Sequence, residues 1–175
     1  MTTLAKATGR ASGLDILNCV LEDHAALRRD LAIAKVAVSE EAKREGLSKA
    51  SVAFRKLNQA EGEVLLARAI QLDGTRPAAQ IALEIDELTT NTFQRAADSV
   101  GEEQLAARIS VLSDLLEWHR ETREQNLFPQ IRKILGAAER EEMGVRFREE
   151  KSRIDLAPVF QLAVRADELV VKAVG

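Results

Sequence analysis

Two histidines, His24 and His119, are the residues of this chain best suited to bind a metal ion, and the 175 residues contain no other histidine. His24 comes four residues after Val20 and three before Leu27, while His119 comes three after Leu116. Such spacing turns both imidazoles toward the core of a helical bundle, where facing helices can present ligands to a metal. The spacing alone fits a metal site and a pair of packed core histidines about equally.

Two carboxylates could complete such a site. Glu61 follows Leu57 by four residues on an apolar stripe, and a carboxylate buried there needs an ion pair, hydrogen bonds or a cation. Glu124 follows His119 by five residues, which suits a ligand or a surface charge equally well. Arg123, four residues after His119, points closer to the direction of that imidazole.

The elements that position these residues are predicted to be helices. Hydrophobic residues make up 46% of the chain, aromatic residues only 3%, and there are three prolines and no tyrosine. Apolar residues recur at three-and-four spacing in four long segments, which predicts an all-α fold, an up-down-up-down four-helix bundle. The first segment starts near Leu14 and breaks around Gly46, and the second starts at Ser48 or Ser51 and stops at 73–77.

The third and fourth predicted helices span 77–99 and 102–135. The expected inner face of the third consists of Ile81, Ile85, Leu88, Thr92 and Ala96. Pro129 should kink or restart the fourth helix, because proline removes a backbone donor. Three regions follow: a flexible N-terminal leader at 1–13, the bundle at 14–135, and a C-terminal helical extension at 136–175 that packs on the bundle.

The extension divides into two predicted helices. Residues 137–153 are highly charged and read as a solvated helix with opposite charges four residues apart. Residues 156–174 form a last amphipathic helix, through which the chain could contact a protein partner or a second copy of itself.

Composition excludes several classes of protein. The net charge is only −3, and positively and negatively charged residues are mixed along the chain, so no nucleic-acid partner is expected. No run of about 20 apolar residues predicts a membrane span. The single Cys19 excludes an internal disulfide and a cysteine-based zinc site, and indicates the cytoplasm. An enzyme is the least supported class, because no nucleophile or general acid–base pair stands out.

Residues 14–135 resemble the hemerythrin-like (HHE cation-binding) domains. The segments that carry the resemblance are Leu14–Leu17 with Glu22-Asp23-His24, Leu57–Leu66, Leu83–Leu88, and His119 with Glu124 and Leu127-Phe128-Pro129. The resemblance implies a four-helix bundle built for a non-haem di-iron centre. Carried over residue by residue, it implies His24, Glu61, His119 and Glu124 as metal ligands.

Three departures from the family pattern change this expectation. Leu57 and Ile85 stand where the second and third helices should each supply a histidine, and Arg123 stands where the fourth should supply an acid. The remaining ligands are too few for a complete di-iron centre. The cofactor is therefore either absent or a divalent metal, with iron the first choice.

These substitutions suggest a specific replacement of the metal. Leu57 and Ile85 would fill the vacated space, and Arg123 would supply positive charge by pairing with Glu61. The predicted function is that of a non-enzymatic regulatory, sensory or interaction module. The alternative is a metal-binding protein with a reduced site that binds oxygen or nitric oxide, senses a metal or stores it.

Overall fold

The computed structural model describes residues 14–155, and all regular structure in that range is helical. The elements are α1 (Ile16–Val36), α2 (Glu40–Glu61), π1 (Gly62–Leu66), α3 (Ala67–Gln71), α4 (Arg76–Ala97), α5 (Glu102–Thr122), π2 (Arg123–Leu127), α6 (Phe128–Ile134) and α7 (Ala137–Arg153). Because α2–π1–α3 and α5–π2–α6 are each continuous, the described chain forms five helices. They pack as a bundle with antiparallel contacts, which confirms the predicted all-α bundle.

The predicted break between the first two helices was wrong. The chain breaks at 37–39, where the Ser39 hydroxyl accepts a hydrogen bond from the Ala42 N–H at 3.2 Å and caps α2. Gly46 lies inside α2 against Ala34 of α1, and a Cβ at Gly46 would come within 2.7 Å of the Ala34 methyl. Gly46 therefore allows two helices to approach closely and does not end one.

The predicted boundaries of the later helices agree better with the structure. Pro77 lies in the first turn of α4, after a connection in which Gly74 has a φ of +89°. Near Pro129 the helix is irregular but continuous, because π2 ends at Leu127 and α6 begins at Phe128 with the proline in its first turn.

The expected inner face of α4 was partly wrong. Ile85 and Ala96 are buried as predicted, but Ile81 and Leu88 are 53% and 49% exposed. The buried stripe runs instead through Ala82, Asp86, Thr89 and Phe93. Helix α4 is thus rotated so that a carboxylate and a stacked phenylalanine, rather than two aliphatic residues, face the core.

The charged segment 137–153 forms α7, but it is not simply solvated. It buries Phe147 against α1 and α2. Its ion pairs reach across to α1, with Arg140 Nε 2.8 Å from Asp15 Oδ2 and Lys151 Nζ 2.5 Å from Asp23 Oδ2. The predicted pairing within the helix is therefore mostly replaced by pairing between helices.

The predicted leader at 1–13 and the predicted last helix at 156–174 lie outside the described residues. None of the described helices combines the length and apolar character that crossing a bilayer requires. The cytoplasmic location inferred from Cys19 stays a prediction.

Candidate metal site in the bundle core

A cluster of five polar side chains lies in the centre of the bundle, each at most 4% exposed: His24, Glu61, Asp86, His119 and Arg123. We call this group the polar centre. It draws on α1, α2, α4, α5 and π2. The inward directions predicted for the two histidines and for Glu61 are confirmed.

The two long helices change from α to π geometry at the polar centre. Glu61 is the last residue of α2 before π1, and Arg123 is the first residue of π2. In both segments a backbone N–H bonds to the carbonyl five residues earlier, from Ala67 to Gly62 and from Phe128 to Arg123. A π segment accommodates an extra residue in a helix and often marks a functional site. Here one such segment adjoins each partner of the central ion pair.

Arg123 binds two carboxylates from two other helices. Its Nε donates to Glu61 Oε1 at 2.7 Å, and its Nη2 donates to Asp86 Oδ1 at 2.5 Å. Its Nη1 also lies 3.4 Å from the carbonyl oxygen of His119. The predicted Arg123–Glu61 pair is therefore confirmed, with Asp86 as a second partner.

Burial and charge oppose each other at this ion pair. Burial alone would lower the pKa of Arg123, but attraction from Glu61 and Asp86 outweighs it, so that pKa is raised and the guanidinium stays charged. Burial raises the pKa of Glu61, although Arg123 acts against that shift. The guanidinium is therefore the charge that most strongly opposes the effect of burial on the pKa of Glu61.

Asp86 is the member of the polar centre that sequence reasoning missed. It follows Ile85, the position at which a family histidine was expected. The available signal was a second stripe on α4, formed by Ala82, Asp86, Thr89 and Phe93 at spacings of four, three and four. A carboxylate on such a stripe predicts a buried cationic partner.

The two histidines face each other. Their ring centroids are 5.0 Å apart and the rings are nearly perpendicular, and Phe54 packs against His119 with centroids 5.6 Å apart. Burial, followed by the electrostatic effect of the neighbouring His119 and Arg123, holds the pKa of His24 well below its usual range. His24 is therefore a neutral imidazole, the form that binds metals.

Several buried atoms of the polar centre make no hydrogen bond to the described residues. They are both ring nitrogens of each histidine, Oε2 of Glu61 and Oδ2 of Asp86. Nε2 of His119 does lie 2.7 Å from Asp86 Oδ1, but without hydrogen-bond alignment. Buried polar atoms normally have partners, so this site has unused capacity to bind.

The residues present suit one metal ion and not two. His24, Glu61 and His119 each offer one ligand atom, and these atoms lie within 4.8 Å of one another. Ligands at about 2.1 Å from one ion are at most roughly 4.2 Å apart, so a small side-chain adjustment suffices. Two imidazoles and a carboxylate suit divalent transition metals. Asp86 is not part of this group of three, and its Oδ1 is bound by Arg123 just as Oε1 of Glu61 is.

The other sequence-predicted positions lie outside this group. Glu124 is paired with Arg120, whose Nη1 lies 2.5 Å from Glu124 Oε2, and its side chain is 34% exposed. Leu57 and Ile85 are 1% and 2% exposed, so both are buried where the family pattern calls for histidines. The structure thus gathers three of the four predicted ligands and turns Glu124 toward the surface.

Comparison of the chain with models of known families, with curated proteins and with solved structures found no match. The structure itself shows an all-helical bundle with a buried His24–Glu61–His119 group that could hold a metal.

Proposed function

We propose that this chain is a non-enzymatic hemerythrin-like bundle, a regulatory, sensory or interaction module in which an arginine takes the place of part of a di-iron centre. One observation carries the proposal: the fully buried guanidinium of Arg123 binds both Glu61 and Asp86. Charge-assisted bonds of this kind are strong, and a second cation would have to compete for the same two carboxylates.

Elemental analysis of protein purified from iron-supplemented cultures tests this proposal. We expect at most one metal ion per chain and no absorption bands of an oxo-bridged pair of irons. Two irons per chain with those bands would refute it.

A pair of variants tests the role of the arginine itself. Arg123→Glu removes the competing cation and adds a carboxylate, so we expect that variant to bind more divalent metal than the wild type. Arg120→Glu, one turn earlier and 23% exposed, makes the same charge change outside the polar centre and should not gain metal. Equal gains in both variants would argue against a specific role for Arg123.

A second candidate function is the binding of a single divalent ion, iron first, for oxygen or nitric oxide binding, metal sensing or storage. The buried ligand atoms without hydrogen bonds favour it. Glu61 Oε2 and Asp86 Oδ2 are among these atoms, and carboxylate oxygens are common ligands of divalent cations. The group would be held by His24, Glu61 and His119 and would supply a Lewis-acidic centre.

Thermal unfolding with and without added metal tests the second candidate. A ligand at 100 times its Kd stabilises the folded state by about 2.7 kcal/mol. We expect zinc or cobalt to raise the Tm of the wild type and to leave the Tm of His24→Gln unchanged. Because each variant is compared with its own metal-free sample, a general loss of stability does not affect the result. No shift in the wild type at millimolar metal would exclude this function.

A further inference from the structure

Four large apolar side chains are exposed on neighbouring helices at one side of the bundle. Ile81 and Leu88 of α4 are 53% and 49% exposed, and Val111 and Trp118 of α5 are 59% and 49% exposed. In each helix the two residues are seven apart and therefore lie on one side. We call this surface the α4–α5 face.

The grooves on either side show where these residues point. Thr90 borders a groove between α2 and α4, and Leu88 lies about 200° around the helix from it, on the flank toward α5. Ser113 borders a groove between α1 and α5, and Trp118 and Val111 lie about 140° and 200° from it, away from α1. Both apolar pairs therefore belong to the side that α4 and α5 share.

The contacts between α4 and α5 place Leu88 and Trp118 at similar heights. Helices α4 and α5 pack against each other, and Asp86 contacts both His119 and Arg123. Leu88 is two residues beyond Asp86, and Trp118 directly precedes His119. Leu88 and Trp118 therefore lie within about one helical turn of each other along the face. A large aliphatic side chain and the tryptophan of the face are therefore neighbours.

We propose that the α4–α5 face binds a second copy of this chain, with the two α4 helices antiparallel across a two-fold axis. The outermost row of α4 is Glu84, Leu88, Asn91 and Arg95, at spacings of four, three and four. A two-fold axis between Leu88 and Asn91 brings Glu84 of each copy to Arg95 of the partner subunit. One row of a single helix is thus self-complementary, as an isologous interface requires.

The charges at both ends of this row are available for such pairing. Glu84 and Arg95 are exposed, and neither makes an ion pair with any residue in the range 14–155. The backbone carbonyl of Arg95 accepts a bond from Arg108 of α5, which anchors the end of α4 that carries this cation. A centre formed by Leu88 and Asn91, with opposite charges at the two ends of the row, fits an interface that is apolar near its centre and polar at its rim.

The chain's own C-terminal segment is poorly placed to cover this face. Helix α7 packs on α1 and α2, across the bundle from α4 and α5. The described part of the chain therefore ends on the side of the bundle opposite this face. A second copy, which brings a whole α4–α5 pair, can cover the entire face.

Sedimentation velocity and equilibrium of the full-length chain over a micromolar concentration range test this proposal. We expect a monomer–dimer equilibrium in the wild type. Leu88→Asp should weaken dimerisation at least about tenfold, as expected for an apolar residue at the centre of an interface. Ile33→Asp is the matched control, because Ile33 is 66% exposed on α1, away from the face.

Charge reversal tests the proposed orientation. Glu84→Arg and Arg95→Glu should each weaken self-association at least about tenfold, because each variant places like charges opposite one another twice per dimer. An equimolar mixture of the two variants should restore association, since every contact in the mixed dimer again joins opposite charges. A helix that is merely damaged by the substitution would not recover on mixing.

Three results would overturn the proposed interface. A wild-type chain that stays monomeric at the highest concentration overturns the proposal. A dimer that Leu88→Asp leaves intact uses another surface and also overturns it. A dimer lost when residues after 155 are removed, but insensitive to the Glu84 and Arg95 reversals, would assign the interface to the C-terminal segment instead. None of these measurements depends on metal, so failure here is distinguishable from failure of the proposed function.

Discussion

Replacing Arg123 with methionine isolates the contribution of the polar centre to stability. Methionine keeps most of the side-chain length but leaves Glu61 and Asp86, which are 0% and 4% exposed, without their cation. Removing one partner of a buried ion pair typically costs about 3–5 kcal/mol, because the remaining charge is left uncompensated. We expect a loss of that size at pH 8, a large share of the stability of a domain this long.

The loss of stability caused by Arg123→Met should be smaller at acidic pH. Burial already raises the pKa of Glu61, and without Arg123 nothing in the polar centre opposes that shift as strongly. A carboxyl whose folded-state pKa is above its unfolded value adds stability that is fully present below the unfolded value and is lost as the pH rises through the folded value. The difference between the variant and the wild type should therefore shrink between pH 8 and pH 5.

Urea unfolding followed by circular dichroism, in the presence of a chelator, measures this difference at each pH. Arg120→Met is the control: its partners Glu117 and Glu124 are about one third exposed, so the cost should stay below about 1 kcal/mol at every pH. A loss in Arg123→Met of less than about 1 kcal/mol at pH 8, or one that is equal at pH 8 and pH 5, would refute this account of the polar centre.

Three further predictions concern the scaffold. Gly46→Val should lower the free energy of unfolding by about 1–3 kcal/mol, because a Cβ there comes within 2.7 Å of Ala34. Gly62→Ala should be tolerated, since a Cβ at Gly62 has no atom within 4 Å. Urea unfolding of the two variants measures the difference. Ser39→Ala should cost about 1 kcal/mol through loss of the α2 cap, seen as a lower Tm. Cys19 should react with a disulfide reagent at pH 8 far more slowly in the folded chain than in urea, because burial raises its pKa; equal rates would contradict this.

Hydrophobic periodicity was sufficient to predict the bundle and three members of its polar centre. His24, Glu61 and His119 interrupt apolar stripes, and a polar residue on such a stripe is directed inward by the same spacing as its neighbours. The Arg123–Glu61 pair was also predictable, since a buried carboxylate needs a cation and a guanidinium follows His119 by one turn.

Helix α4 shows where periodicity fails. One stripe contains Ile81, Ile85 and Leu88, and the next contains Ala82 and Asp86. Hydrophobicity favours the first stripe, but Ile85 is its one buried member, whereas Ala82 and Asp86 are both buried and Asp86 reaches Arg123 on another helix. A choice between adjacent stripes depends on a partner distant in sequence, and the spacing within one helix does not contain that information.

The two π segments were also beyond sequence reasoning. An extra residue in a helical turn leaves the composition and the local propensity almost unchanged, and its effect is a rotation of everything that follows. The early start of α2 differs in kind, because Ser39 followed by Glu40 and Glu41 is a recognisable helix start.

The shared ion pairs of Arg123 also constrain how this protein can evolve. Glu61, Asp86 and Arg123 lie on three different helices, and the buried guanidinium of Arg123 is the shared partner of both buried carboxylates. Losing Arg123 leaves both carboxylates in the core without their cation, so a substitution of this residue toward a metal ligand passes through a destabilised protein. Changes at Arg123 are therefore strongly constrained, whereas the outer surfaces of the bundle can vary while the centre stays fixed.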